Sequence, residues 1–593
     1  MKARLPDAPT LAHRLLDRTD RHPNLTAVAY HSGDGSRAAI SYAELAARAS
    51  AMAEWIRART PEQPRQQFAV IALPNEIDYV VAFVACQLAG VTPATFMAPP
   101  LSTDRAVDAY VTRLGSIVRD CAPTVIIAHT DLAIRLLAHP AGAAVCQGRT
   151  LLAPELAEPS TDIGFVDPTG GRDRLALLQY TSGSTSRPKG VMIGHDNLTH
   201  NVGVIAHAFR SVQGESIAGW LPLHHDMGMI GLICHALWAG LTAQMMAPHV
   251  FIRRPALWLQ TISASDAPST VAPNFGYDLA VRRIRDDELR GVNLTCLRTA
   301  MNGAEPVRVA TVDAFAKRFG PFGFNSQAMM PVYGLAENTV AVSLDHRQRD
   351  PVVVGADPIQ LRDNGIVRAV RHRPAVDMVG CGTGGTHGIL TRIVDPHTRR
   401  PCPDGTVGEI WVTGPSKAHG YWQRPTESEE TFRARLAGRD DPRTYLRTGD
   451  LGALRDGRLF IVGRIKDVII ARGMNLYPQD LEHTAETSHP ALRRGGGAAF
   501  GVLDEHGERV VMVHELDRFG ADVDKAQVIS SIRRAVAEIH GVTLDEVCLT
   551  GKGQVPKTTS GKVRRRETQR RFLAGDLTVH ASWTAAPTKG AIR

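Results

Sequence analysis

Cysteine is scarce and poorly spaced for metal or disulfide chemistry. The 593 residues hold eight, Cys86, Cys121, Cys146, Cys234, Cys296, Cys381, Cys402 and Cys548. None forms a Cys-x-x-Cys pair, which argues against a structural zinc site or a disulfide framework and leaves buried or free thiols. Also missing is any apolar run long enough to cross a bilayer. The longest, Tyr79 to Val91, carries Gln87 and reads as a buried helix. The opening Met1-Lys-Ala-Arg-Leu-Pro lacks the apolar core of a signal peptide. No self-similarity recurs at a period of about 20–50 residues, which excludes a solenoid. These absences predict a cytoplasmic protein with no membrane span.

Hydrophobic residues make up 44% and charged residues 22%, ordinary for a globular enzyme, and the length exceeds what one core serves. Helical spacing marks Leu11 to about Arg21, and Ser41-Tyr-Ala-Glu44 opens a second helix with a capping-box pattern. Short β-rich runs follow, Phe68–Leu73, Thr124–Ala128, Leu175–Tyr180 and Glu409–Val412, alternating with helical patterns. That order predicts wound, parallel α/β layers over residues 1–462. The pattern breaks at Gly463-Arg-Ile-Lys-Asp467. Beyond it, strand-like Ala498–Val502 and Val510–Leu516 precede a helix with Val528, Ile529, Ile532, Val536 and Ile539 on one face, stopped by Gly541. Residues 463–593 thus read as a small α+β domain, with a loosely held tail beyond about Gly575. Gly380-Cys-Gly-Thr-Gly-Gly385 matches a dinucleotide fingerprint in letters only, because Ile389–Val394 reads as a strand where that fingerprint needs a helix.

The net charge of +8 is unevenly placed. Lys552, Lys557, Lys562, Arg564, Arg565, Arg566, Arg570 and Arg571 share one segment with the single acid Glu567. No aromatic residues interleave for base stacking, so nucleic acid ranks last, behind a solvated face and a dock for an acidic protein. Apart from Lys562, these cations read as solvated.

The most informative stretch is Leu175 to Gly190, an apolar strand feeding a loop of Thr181, Ser182, Gly183, Ser184, Thr185 and Ser186 that closes on Lys189. Glycine lets backbone N–H groups approach phosphate oxygens, hydroxyls donate further bonds, and the lysine adds charge. It is no Walker loop, since Lys189 stands between Pro188 and Gly190. Downstream follow Gly303-Ala-Glu305, Tyr333-Gly-Leu-Ala-Glu337, Arg447-Thr-Gly-Asp450, Gly463-Arg-Ile-Lys-Asp467 and Pro556-Lys-Thr-Thr-Ser-Gly-Lys562. In this order the motifs resemble those of the adenylate-forming superfamily, which includes acyl-CoA synthetases, nonribosomal adenylation domains and luciferases. The resemblance runs from about residue 10 to about residue 572.

The resemblance implies ATP and Mg²⁺ as cofactors and attack of a carboxylate on the α-phosphorus. It assigns Thr181 through Ser186 and Lys189 to the phosphates, with Lys189 and Lys562 among the catalytic residues. Glu337 and Thr185 would hold the metal, and Gly303, Ala304 and Glu305 would line the adenine pocket. Tyr333, within Tyr333-Gly334-Leu335-Ala336, would stack on adenine. Asp450 and Arg464 would hold the ribose, and Lys562 would sit over the α-phosphate. Lys466 matches the family's hinge, which makes the small domain mobile.

Trp220-Leu-Pro-Leu-His-His-Asp-Met-Gly228-Met-Ile-Gly231 narrows the resemblance to fatty acyl-AMP ligases. It implies a fatty acid substrate and transfer to the phosphopantetheine thiol of an acyl carrier protein. His225, Asp226, Met227 and Gly228 then line the acyl pocket, with His225 also counted as catalytic. His225 as a metal ligand lacks a third partner at recognisable spacing. A segment near 340–375, with little periodicity, stands where these ligases carry an insertion. His224, Ile461 and Gly380 depart from the family pattern. An acyl-CoA ligase remains the alternative, with a luciferase-like monooxygenase and a noncatalytic nucleotide-binding partner more remote.

Overall fold

In the computed structural model, residues 10–60, 66–96, 104–156, 174–181, 188–345, 349–371, 375–438, 441–471, 474–504, 507–517, 523–558 and 561–585 are described. Two largely parallel sheets carry the first half of the chain. One orders its strands Met329–Pro331, Thr299–Gly303, Ser269–Pro273, Ser216–Gly219, Thr242–Met245, Thr26–His31 and Arg37–Ser41, with only the last pair antiparallel. The other runs Thr150–Leu152, Val125–Ile127, Phe68–Ile71, Thr92–Thr95, Leu175–Thr181 and Lys189–Gly194, closed by the antiparallel pair Leu175–Thr181 and Lys189–Gly194. The apolar run read from the sequence is the helix Ile77–Ala89, buried at every position except Asp78 as a layer of the core. Ser41 caps the helix Tyr42–Arg59 with both bonds of a capping box, from Glu44 N at 3.2 Å and to Glu44 Oε2 at 2.7 Å. Each such cap stabilises a helix by about 1 kcal/mol.

The strand containing Glu409–Val412 belongs elsewhere than expected. Gly408–Thr413 lies in a third, antiparallel sheet ordered Val353–Ala356, Val376–Thr383, Arg458–Arg464, Leu446–Arg455, Gly408–Thr413, Ile389–Val394 and Gly385–Thr386. Ile410-Trp411-Val412 is a continuous apolar run buried on both faces, the pattern usual in parallel sheets, but the connections decide the direction. Here Asp456-Gly457, both at positive φ, make the tight turn of a hairpin. The glycine-rich decoy lies on Val376–Thr383 and leads into the strand Ile389–Val394, with no helix behind it.

The segment near 340–375 contains more local order than its composition showed. Asp357 caps a helix Pro358–Asn364 that Gly365 ends in the left-handed region. In the C-terminal part, Leu492–Asp504, Gly507–Leu516, Glu546–Thr550 and Val579–Thr584 form one sheet, packed by the helices Pro478–Thr487 and Lys525–His540. Val528, Ile529, Ile532 and Val536 are buried as expected, whereas Ile539 is exposed at the frayed end of the face. The tail departs further from expectation. Val579–Thr584 pairs with Glu546–Thr550, and Arg533 covers the Trp583 ring at 3.3 Å. A six-residue edge strand has too short an alternation to register as a periodic pattern.

Among the described residues, no helix is long and apolar enough to cross a membrane. His235 has no exposed surface, bonds Ser211 Oγ at 2.9 Å, and is pushed down to about 4 by burial. Its ring is neutral in the fold but takes a proton near 6.5 when unfolded. Stability from this group is therefore present above pH 6.5 and lost as pH falls toward 4, by at most about 3 kcal/mol. His235→Gln is expected to lower Tm at all pH values while flattening its fall between about pH 7 and about pH 5. Thermal melts showing an unchanged acid slope would contradict this.

Candidate active site

The C-terminal ends of the parallel strands point the same way, and open α/β sheets place ligands there. Thr299–Gly303 delivers Ala304 and Glu305, Met329–Pro331 delivers Tyr333 to Glu337, and Ser216–Gly219 delivers Trp220 to Met227. The antiparallel sheet adds Asp450 and Arg464 from adjacent strands, and the C-terminal part adds Lys562. These segments meet in a cleft of about 2110 Å³ lined by Thr181, Lys189, His225, Glu337, Asp450 and Lys562, among others.

Asp450 is the node of this cleft. Its carboxylate, 5% exposed, accepts from Tyr333 Oη at 2.7 Å and from Arg464 Nε at 2.8 Å. The negative charge of Asp450 raises the Arg464 guanidinium further above its ordinary range. A carboxylate has about four acceptor positions, so two stay available for ribose hydroxyls. The hydroxyl bond also fixes the angle of the Tyr333 ring. Gly334 is held for a different reason, because a side chain there would collide with the Val340 carbonyl.

Glu337 lies across the cleft and accepts from Tyr421 Oη at 2.8 Å; burial raises its carboxyl while that bond opposes the shift. Glu305 accepts from the Phe275 amide at 2.6 Å and is likewise raised by burial. Ala304, at φ 65°, takes a backbone conformation that side chains rarely adopt. Gly303 packs tightly, since a Cβ would lie 2.6 Å from Val332.

Lys562 enters the cleft from the C-terminal part. Burial lowers its ammonium, while Asp226, Glu305 and Asp450 pull it back toward the charged form. Burial raises Asp226 and Lys562 opposes the shift; His225 is pushed down to about 4 by burial and by Lys562. The His225 imidazole is therefore neutral at physiological pH. Contacts that hold the two parts together around the cleft include Arg494 to Asp278 at 3.3 Å, Arg308 to Glu486 at 3.9 Å, and Arg362 Nη1 donating to the His540 carbonyl at 2.9 Å. The last ties the helix Pro358–Asn364 to the C-terminal part.

Several expectations fall differently. Ser182, Gly183, Ser184, Thr185 and Ser186 lie outside the described residues, so of the loop the structure shows only its flanks. Thr181 ends one strand and faces Lys189 in register on the next. Lys189 forms an ion pair with Glu427 and lies 5.0 Å from the Tyr421 ring centroid. Gly228 faces the Pro222 backbone, where a Cβ would collide, so it closes a turn rather than opening the pocket. Leu335 and Ala336 line the cleft, and Lys466 sits in the single turn Ile465–Asp467.

Arg565 is not solvated as its neighbours' charge pattern led us to expect. It binds both oxygens of Glu482, at 2.6 and 2.7 Å, and Asp467 at 3.2 Å. Arg570 and Arg571 both pair with Glu567 at 2.9 Å, and Lys552, Arg564 and Arg566 are exposed. Sequence reasoning missed the roles of Tyr421 and Glu427, whose partners are remote in sequence, and Glu409, which binds Arg447 at 2.8 Å. Only the proximity of Arg447 to Asp450 hinted at the last of these.

Residues 15–422 match the family model described as AMP-binding enzyme, and residues 466–582 match that of the Disco-interacting protein 2-like AMP domain. A medium-chain-fatty-acid–[acyl-carrier-protein] ligase of Moorena producens is 37% identical over 560 residues, 92% of each chain. A long-chain-fatty-acid–AMP ligase of Mycobacterium marinum is 34% identical over 579 residues, 94% of this chain and 96% of its own. A solved structure from work on fatty acyl-adenylate ligases of E. coli and L. pneumophila superposes with a TM-score of 0.85 at 29% identity. It covers 97% of this chain and 99% of its own.

Proposed function

The chain belongs to the AMP-binding, adenylate-forming ligases, and we propose that it joins a fatty acid to AMP and then passes the acyl group to the thiol of a carrier protein. The observation that carries the first step is the meeting of Lys562 with Asp450, Glu305 and Asp226 in one cleft. A carboxylate and a polyphosphate repel each other, so the enzyme's work is to align them and neutralise charge. Lys189 and Lys562 supply positive charge at the phosphates and at the reacting α-phosphate. Tyr333, Asp450 and Arg464 hold the nucleoside, and His225 and Asp226 border the acid. The acid's oxygen bonds to phosphorus as the bond to pyrophosphate breaks.

Mg²⁺ suits this donor set, since it is usually held by one or two carboxylates together with substrate phosphates and water. Glu337 is such a carboxylate, part-buried and raised, and Thr185 is its proposed companion. Bound there, the ion would offset phosphate charge.

The acceptor is the finer part of the reading. It is supported by full-length similarity to an acyl-carrier-protein ligase and by the exposed cations Lys552, Arg564 and Arg566. Such a patch steers an acidic partner over a screening length of about 8 Å at physiological salt. Supplied with ATP, a fatty acid and either carrier protein or CoA, the enzyme is expected to acylate the carrier. Reversing Arg564 and Arg566 to glutamate should slow transfer by about 10-fold at low salt and leave pyrophosphate release unchanged. Efficient acylation of CoA with none of carrier protein would make the chain an acyl-CoA ligase instead.

A further inference from the structure

The segment that follows Asp226 and Met227 contains an unexplained glycine. Met229–Cys234 forms a π-helical turn, a rare form found mostly at functional sites, and Gly231 within it lines the cleft. Glycine is usually held in place by a positive φ or by a close approach of neighbouring atoms. Gly231 has neither. Its φ is not in the positive range, and a Cβ built there would meet only Met227 Cγ, at 3.7 Å, an ordinary contact. Two nearby glycines differ: Gly228 faces the Pro222 carbonyl, and a Cβ at Gly219 would lie 3.0 Å from Leu232. Gly231 therefore leaves volume inside the cleft that a side chain could fill.

Its surroundings define what that volume accepts. The helix His195–Phe209 packs on Met229–Cys234 and on the strand Ala341–Ser343. Ile205 and Ala341 line the cleft from these elements, Met227 and Val340 line it from the residues just before them, and none of the four carries a titratable side chain. Gly231 also lies about one turn further along the same helical run from Asp226, whose carboxylate interacts with Lys562. The polar end of an acid thus belongs at Lys562 and Asp226, with its hydrocarbon continuing past Gly231.

We infer that Gly231 sets the acyl-chain length the enzyme accepts, by leaving room for distal methylenes that any larger residue would exclude. The inference rests on the proposed adenylation of fatty acids. It calls for Gly231→Ala and Gly231→Leu, assayed by pyrophosphate release over saturated acids from butanoate to hexadecanoate. The readout is the ratio of kcat/KM for the longest acid accepted by the unaltered enzyme to that for the shortest. One methylene in an apolar pocket changes kcat/KM by about 10- to 200-fold, so the ratio should fall by at least about 100-fold in Gly231→Leu. Gly231→Ala, the smaller change, should lower it by at least about fivefold and serves alone if the leucine variant does not fold. A ratio within about threefold of the unaltered enzyme in every folded variant would overturn the inference, including the case where all acids lose activity equally. An unaltered enzyme that adenylates none of the series would overturn the functional reading and this inference with it.

Discussion

Lys562→Ala is expected to abolish acyl-adenylate formation, lowering kcat by about 10²–10³ or more while ATP affinity changes little. The reason is where the ammonium sits and what holds it there. It is part-buried beside Asp226, Glu305 and Asp450, and these carboxylates compensate the burial that would otherwise favour the neutral amine. A compact charge on a flexible stem can follow the phosphorus as negative charge builds between the two reactants. Its loss removes stabilisation from the transition state more than from the bound nucleotide, and this separates kcat from KM. Lys562→Arg should not restore the rate, because a planar fork cannot take the place of a point charge in a closed cleft. Pyrophosphate exchange by Lys562→Ala within about threefold of the unaltered enzyme would remove Lys562 from the chemistry.

What the sequence made legible was local. The Ser41 capping box, the buried helix Ile77–Ala89 and the stop at Gly541 each depend on residues a few positions apart, and the structure shows all three. The ordered motifs likewise named Tyr333, Asp450 and Lys562 before their meeting in one cleft could be known. Long-range pairing was not legible. Tyr421 and Glu337 bond across 84 positions, and Arg565 reaches Glu482 across 83. In sequence, Arg565 is one of many cations; in the fold, it is chelated and unavailable to a partner. The third sheet escaped for a related reason, since Gly408–Thr413 is buried on both faces as parallel strands usually are, and burial does not fix strand direction. Gly231 ends the run that narrowed the resemblance but received no role of its own, because a glycine inside an apolar run has no signature separating a packing need from an empty volume.

Asp450→Ala should raise KM for ATP by about 10- to 100-fold, and the loss should vanish when the ribose hydroxyls are missing. The carboxylate holds Tyr333 and Arg464, at 2.7 and 2.8 Å, and both line the cleft. Removing it strands a buried phenol hydroxyl, so some destabilisation follows, on the order of 1–3 kcal/mol. Arg464 adds less to this cost, because its side chain is half exposed and water can replace the lost partner. Stability alone therefore cannot separate a ribose ligand from a structural tie, but deoxynucleotides can. If Asp450 accepts from the ribose, the unaltered enzyme should discriminate against 2′- or 3′-deoxy-ATP by about 10-fold or more, and Asp450→Ala should treat ATP and its deoxy analogue nearly alike. Asp450→Asn keeps an acceptor oxygen for Tyr333 and should restore most of the stability but little of the discrimination, since a neutral amide oxygen is the weaker partner. A variant with raised KM that still discriminates as the unaltered enzyme does would show that Asp450 orients Tyr333 and Arg464 without touching the nucleotide.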